Sequence, residues 1–316
     1  MLKDLQDLTL IGVPLDLGAE NLGVSFGPDA YRANYIGTKL SSAGFKVADL
    51  GNLECPDRKN LKVDDKKQRY SKQIIEVNER LAKLVHDQIQ LGNKVVVLGG
   101  DHSINLGTFS GASVACKGEI GQIYLDAHGD MNTRDTTMSG NIHGMHLASL
   151  MGFGSDDLKQ VFGDQTKLSI KNLLHIGGCD LDDAEVELIK TQNIAAFTMQ
   201  DLLRHGLDPL FAMVNELAER VPNVWISLDL DAIDSIYAPG AGMPNPKGLT
   251  YREVVAVAEY VGKTCKVVGI DVVEYNPLND EKHKTAELAT ELIAKFLGRD
   301  YSWYTNYLNK NGSNRD

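Results

Sequence analysis

The sequence predicts an α/β fold, with a largely parallel sheet covered by helices on both faces. Three observations predict it. Short apolar runs alternate along the chain with segments of helical period. Several runs, KVVVL at 94–98 among them, are apolar at successive positions, as strands buried on both faces require. Aspartates and histidines follow directly on three of these runs, at the strand ends where open α/β sheets place their ligands.

The elements follow in order. Residues 8–13 (LTLIGV) form a first buried strand, stopped by Pro14. Residues 18–28 are glycine-rich and polar, hence a loop, and a helix starts at about Ala30 with Asp29 as its cap. Residues 45–50 form a second strand, and the charged, nonperiodic stretch 54–67 a surface excursion. Residues 71–91 form a long helix with Ile74, Ile75, Leu81, Leu84, Val85 and Ile89 on one face, and Gly92 stops it.

The strand at 94–98 runs into GGDHS at 99–103, where two glycines allow a sharp turn and a close approach to a ligand. A small-residue helix over 107–116 comes next. The strand at 120–125 then leads into DAHGD at 126–130. A strand at 173–177 leads to Asp180, Asp182 and Glu185; Leu202 and Leu203 precede a helix over 209–220. The strand at 223–228 (NVWISL) opens into Asp229-Leu230-Asp231 and a proline- and glycine-rich loop over 238–248. Thr250 caps the next helix, with Glu253 completing a capping box. A last strand over 266–270 ends at Asp271, with Glu274 just beyond, and a helix over 284–297 closes the pattern. No repeat, low-complexity stretch or linker divides the chain, so residues 1–316 are expected to form a single catalytic domain.

Composition narrows the function. A chain of 316 residues that is 43% hydrophobic can bury a large core. Its net charge of −11 is spread along its length, which argues against nucleic acid and anionic membranes as partners. No run approaches the ~20 apolar residues of a membrane span, and the opening residues lack the apolar run of a signal peptide. Cys55, Cys116, Cys179 and Cys265 are far apart, which fits reduced thiols and a cytoplasmic protein.

The chemistry gathers at three strand ends. In extended backbone, side chains two apart share a face, so Asp126, His128 and Asp130 converge. With His102, Asp229 and Asp231 they make two histidines and four carboxylates. That is too many donors for one ion. Four aspartate charges balance two divalent cations, and carboxylates mixed with imidazole favour Mn²⁺ over thiolate-bound Zn²⁺. Two such ions make water a nucleophile near neutral pH, which reaches a hydrolase or a metal-dependent lyase but no substrate.

GGDHS, DAHGD and SLDLDAID (227–234) resemble the three signatures of the ureohydrolase family, over most of the chain. Within it, SGNIHG at 139–144 and GLTYRE at 248–253 resemble the arginase branch rather than the agmatinase branch. The resemblance implies a three-layer α/β/α sandwich with a mostly parallel central sheet. It also implies a binuclear Mn²⁺ site, hydrolysis of L-arginine to L-ornithine and urea, and a homotrimer or homohexamer. It assigns His102, Asp126, Asp130 and Asp229 to one metal, and His128, Asp126, Asp229 and Asp231 to the other. His143 matches a proton-shuttling histidine, and Glu274 a carboxylate that orients the guanidinium. Asn132, Thr137 and Ser139 match residues receiving an α-carboxylate, and Asp182 and Glu185 an acidic pair near an α-amino group. One departure is Met243, where arginases usually carry threonine.

Other readings compete. Agmatinase needs no cradle for an α-carboxylate, so Asn132, Ser139, Asp182 and Glu185 argue against it. A metal-stabilised scaffold without turnover has only Met243 in its favour. A two-metal phosphoesterase lacks a basic phosphate clamp here. His175 reads as a core residue, and His146 as a neighbour of the key loop. Asp101, Asp234 and Asp271 read either as supports for ligands or as turn and strand-end residues.

Overall fold

A computed structural model describes residues 5–301. Eight strands form one sheet: β1 (Gln6–Val13), β2 (Phe45–Asn52), β3 (Lys94–Gly99), β4 (Gly121–Leu125), β5 (Leu173–Gly177), β6 (Ala195–Thr198), β7 (Val224–Asp229) and β8 (Val267–Val273). Their order is β2-β1-β3-β8-β7-β4-β5-β6, and every pair is parallel. The helices are α1 (Gly27–Ala33), α2 (Ile36–Ser42), α3 (Ser71–Gln90), α4 (Asn105–Ala115), α5 (His146–Leu150), α6 (Asp156–Lys159), α7 (Asp183–Thr191), α8 (Met199–His205), α9 (Asp208–Arg220), α10 (Tyr251–Thr264) and α11 (Lys284–Phe296).

Strand periodicity divides the apolar residues between two layers. On one face Val96, Leu98, Ile123, Leu125, Ile226 and Leu228 pack with Tyr31 of α1, Leu40 of α2, Val214 of α9, Val257 of α10 and Leu292 of α11. On the other, Val95, Val97, Tyr124 and Trp225 pack with Ile74 and Leu81 of α3, Phe109 of α4 and Leu147 of α5. The expected three-layer α/β/α sandwich is therefore present. Because all strands run the same way, the ends of β3, β4, β7 and β8 meet at one edge of the sheet.

Several boundaries differ from expectation for physical reasons. Helix α1 begins at Gly27, with Pro28 in its first turn, so Asp29 lies inside that turn instead of capping it. Helix α4 begins at Asn105, two residues early. Strand β6 and helix α8 were not expected. The four residues AAFT are too short to stand out as an apolar run. Thr198 caps α8 through a reciprocal box with Asp201. Strand β8 continues through Asp271 to Val273, because partners on other elements satisfy that buried carboxylate. The capping box of Thr250 and Glu253 forms as expected.

Gly100 makes a close approach to backbone. Its N–H donates to the Val13 carbonyl at 2.8 Å, and the next N–H, of Asp101, donates to the Leu15 carbonyl at 2.8 Å. A Cβ at Gly100 would overlap the Leu15 carbonyl oxygen. Gly100→Ala should therefore cost about 1–3 kcal/mol, the range for overpacking in a tight interior. Denaturant unfolding of the two proteins measures it, and equal midpoints and slopes would refute the contact.

Candidate metal centre and active site

One local device shapes three strand ends. Asp101 Oδ1 accepts the Ser103 N–H at 2.9 Å, Asp126 Oδ1 the His128 N–H at 2.7 Å, and Asp229 Oδ1 the Asp231 N–H at 2.8 Å. An aspartate that bonds backbone two residues on turns the chain tightly. Each strand thus ends in a bend that presents alternate side chains to a common volume. Asp130 then adopts a left-handed φ of 50° and is held there, its carbonyl accepting the Leu147 N–H at 3.2 Å.

Two groups of donors result. His102 Nδ1 lies 3.0 Å from Asp126 Oδ2, 3.3 Å from Asp130 Oδ2 and 3.2 Å from Asp229 Oδ2. His128 Nδ1 lies 3.0 Å from Asp231 Oδ2 and 3.4 Å from Asp126 Oδ1. Asp126 therefore divides its two oxygens between the groups. Asp229 places Oδ2 in the first group, while its Oδ1 holds the Asp231 backbone. Spacings near ~3 Å are those of neighbouring donors on one cation when each bond is about 2.1 Å. The triads His102–Asp126–Asp229 and Asp126–His128–Asp231 could each hold a metal ion, as could His102, Asp130 and His146.

The first group is supported from behind. His102 Nε2 lies 2.8 Å from Ser227 Oγ, whose proton goes to Asp271 Oδ1 at 2.5 Å. Nε2 must therefore carry a proton and donate to Ser227, which leaves Nδ1 facing the carboxylates. Trp225 Nε1 and the Thr108 hydroxyl also donate to Asp271, at 2.6 and 2.5 Å, so this buried carboxylate has a full set of donors. Asp271 is thus a support for His102, one of the two roles the sequence left open. Ser227, inside a recognised motif but with no role assigned, is the link.

Charge in the cluster is balanced by protons in the metal-free chain. Burial, with Asp231 and Asp126 close by, pushes the Asp229 carboxyl well above its usual range. Burial and Asp126 push Asp231 up to about 6. Burial opposes a charge on His102, but the three carboxylates outweigh it and hold its imidazole well above the ordinary histidine value. Divalent cations can take the place of these protons. The donors are oxygens and imidazole nitrogens, with no cysteine among them, a set suited to Mn²⁺-like ions.

A cleft of about 340 Å³ adjoins both groups. His128, Asp130, Asp229 and Asp231 line it together with the other residues that the resemblance assigns to substrate or proton transfer: Asn132, Thr137, Ser139, His143, Asp182, Glu185 and Glu274. Met138, Gly144, Asp180 and Met243 also line it. His102 and Asp126 lie behind, fully buried. Glu274 has a left-handed φ of 59° and accepts the His102 N–H at 3.0 Å through Oε1, with His143 Nδ1 3.3 Å from the same oxygen. Glu185 accepts the Met131 and Asp182 N–H groups, each at 3.0 Å, and burial pushes it up to about 7.

Other residues sort clearly. Asp101 accepts the Gly18 N–H at 2.8 Å and so ties the early loop to the site. Asp234 accepts the Ile236 N–H, forming a turn. His175 lies behind the site, Nε2 3.3 Å from the Asp126 carbonyl. Tyr124 was read only as part of a strand, yet its hydroxyl reaches Asp126 and Asp130; the period of two that puts Asp126 and Tyr124 on one face was the available signal.

The profile of the Arginase family matches residues 6–298. The chain belongs to the arginase family. It is 38% identical to arginase from Bacillus caldovelox over 296 residues, 93% of this chain and 99% of that one. Arginase from Bacillus subtilis (strain 168) is 36% identical over 292 residues, 92% of this chain and 98% of its own. The native Bacillus caldovelox arginase structure superposes with a TM-score of 0.90 at 37% identity, covering 94% of this chain and all (100%) of that one. The Entamoeba histolytica arginase in complex with L-ornithine gives 0.86 at 28% identity, covering 94% and 100%. Family membership makes the chain a metal-dependent hydrolase, and its buried His and Asp groups could bind a binuclear metal site.

The His143–Glu274 pair has a measurable signature in the metal-free arginase. Burial alone would depress the His143 imidazole, but Glu274 beside it wins and raises it to about 9 from 6.5. A raised histidine contributes stability that is complete below the unfolded value and lost as pH climbs through the folded one. Metal-free wild type should thus lose stability relative to His143→Gln between about pH 6.5 and 9. Urea unfolding across that range measures it; a constant difference between the proteins would contradict the pairing.

Proposed function

We propose that the chain is a cytoplasmic arginase that hydrolyses L-arginine to L-ornithine and urea with two Mn²⁺ ions per chain. On this reading residues 1–316 act as one catalytic domain. The observation that carries it is a single cleft lined by members of both donor groups and by Asn132, Thr137, Ser139, Asp182, Glu185, His143 and Glu274. Free cysteines and the lack of any membrane-crossing helix among the described residues fit the compartment. The family resemblance supports a homotrimer or homohexamer.

His102, Asp126, Asp130 and Asp229 would hold the first ion. His128, Asp231 and the second oxygen of Asp126 would hold the other, with Asp229 alongside them in the cleft wall. Bound there, the ions supply Lewis acidity that makes water nucleophilic near neutral pH.

The side chains of the cleft do the rest. The Thr137 hydroxyl accepts the Gly140 N–H at 3.0 Å, and the Ser139 hydroxyl accepts the Asn141 N–H at 3.2 Å. With an acceptor site already used, each hydroxyl has its proton to donate, which suits the substrate α-carboxylate. Asn132 donates one amide proton to Asp182 Oδ2 at 2.7 Å and keeps the second for the same carboxylate. That contact also fixes Asp182, whose other oxygen receives the α-ammonium. The oxygens of Glu185 are taken by backbone, so it shapes the ammonium end by holding Asp182 and Met131.

At the far end Glu274 Oε2 is free for the guanidinium, while Oε1 is spent on His102 and His143. Holding that planar cation in one orientation sets its carbon against the attacking water. The departing nitrogen must gain a proton, and His143, protonated beside Glu274, stands ready to give one.

The test compares kcat/KM for arginine and agmatine. Agmatine has no α-carboxylate, so two or three donors would be left unpaired at about 1–3 kcal/mol each. Arginine should be preferred by roughly a hundredfold or more. Asp182→Ala should erode arginine turnover and leave metal content intact. Better turnover of agmatine by the wild type would overturn the substrate assignment.

A further inference from the structure

Tyr124 and His146 lie against the first donor group and have no part in the reaction above. The buried Tyr124 hydroxyl is 2.7 Å from Asp126 Oδ2 and 2.7 Å from Asp130 Oδ2. Its ring stacks on His102, centroids 4.9 Å and planes 10° apart, with the hydroxyl 3.2 Å from Nδ1. His146 packs against His102 too, centroids 4.5 Å apart, and turns Nε2 towards the Tyr124 hydroxyl at 3.4 Å. His146 Nδ1 is 2.6 Å from the His143 carbonyl, which can only accept, so the proton sits on Nδ1 and Nε2 is an acceptor. The phenol is therefore a donor with one proton among three acceptors.

We propose that Tyr124 is a positioning residue for the first metal position, clipping Asp126 Oδ2 to Asp130 Oδ2 and fixing the plane of His102, with His146 aiming the phenol. The inference rests on the two donor groups being Mn²⁺ sites. The two oxygens that Tyr124 holds are those that face His102 Nδ1. Left alone, two carboxylates this close would swing apart. A proton shared from a hydroxyl that itself lies beside Nδ1 keeps both turned towards the imidazole, and the stacked ring keeps the imidazole from rotating away. The second position meets this clip only through the shared Asp126 carboxylate. Asp126 Oδ1, which faces it, is held by the His128 N–H instead. Tyr124 thus acts chiefly on the first position, where it holds two oxygens and the imidazole.

The experiment uses Tyr124→Phe, which keeps the ring and removes only the hydroxyl, and His146→Ala. Equilibrium dialysis of the full chain against Mn²⁺ gives the count and affinity of both positions. Electron paramagnetic resonance at partial loading separates isolated ions from coupled pairs. In Tyr124→Phe one position should weaken by about 10–100-fold, as when a support of a ligand is lost. The other should hold its affinity, so an isolated-ion spectrum appears at loadings where the wild type shows pairs. His146→Ala should weaken the same position by a smaller factor. Two wild-type affinities in Tyr124→Phe would overturn the proposal. Equal weakening of both positions with a lowered melting temperature of the metal-free variant would reduce Tyr124 to packing and overturn it too. A wild type that binds fewer than two ions would instead defeat the two-metal reading itself.

Discussion

Everything in this fold answers to the burial of mutually repelling carboxylates. Asp126, Asp130, Asp229 and Asp231 are packed around two imidazoles, all but His128 almost without solvent. Isolated ionised carboxylates in an apolar interior are costly, and the cost falls only with pairing. The parallel sheet makes the convergence possible by delivering three strand ends to one edge. The bends after those ends are secured by aspartates bonded to backbone two residues on. Left-handed backbone at Asp130 and Glu274 is strain kept at the site by surrounding contacts.

Support extends into the sheet. The Asp271–Ser227–His102 chain fixes a tautomer with buried hydrogen bonds, and Trp225 and Thr108 lock Asp271 in turn. This network lies in the same layer as α4, the small-residue helix whose Thr108 reaches the sheet. At the substrate side the logic is the reverse. Thr137 and Ser139 have their acceptor sites occupied and their protons free, so the cleft offers donors where a carboxylate would lie and acids where a cation would.

Much of this was legible in the sequence. KVVVL, NVWISL and the run before Asp126 announced central strands, because strands buried on both faces need no alternation. The six ligand candidates were readable from alternation at strand ends and from the family signatures. What escaped depends on partners distant in sequence. Asp271 looked like a strand end because a carboxylate inside a strand is costly, and only Trp225, Ser227 and Thr108 make it tolerable. Tyr124 looked like one more apolar strand residue, and His146 could not be placed until the loop from 139 to 146 was folded back over His102. Strand β6 was too short to carry a signal, although the Thr198 and Asp201 box that starts α8 was there to be read.

One carboxylate, Asp126, turns one oxygen to each of the two donor groups. The most direct measurement is the number of Mn²⁺ ions bound per chain in the wild type and in Asp126→Ala, by dialysis and elemental analysis. The wild type should bind two ions and the variant should lose both at Mn²⁺ concentrations that saturate the wild type. An Asp126→Ala protein that still binds one ion with wild-type affinity would contradict it.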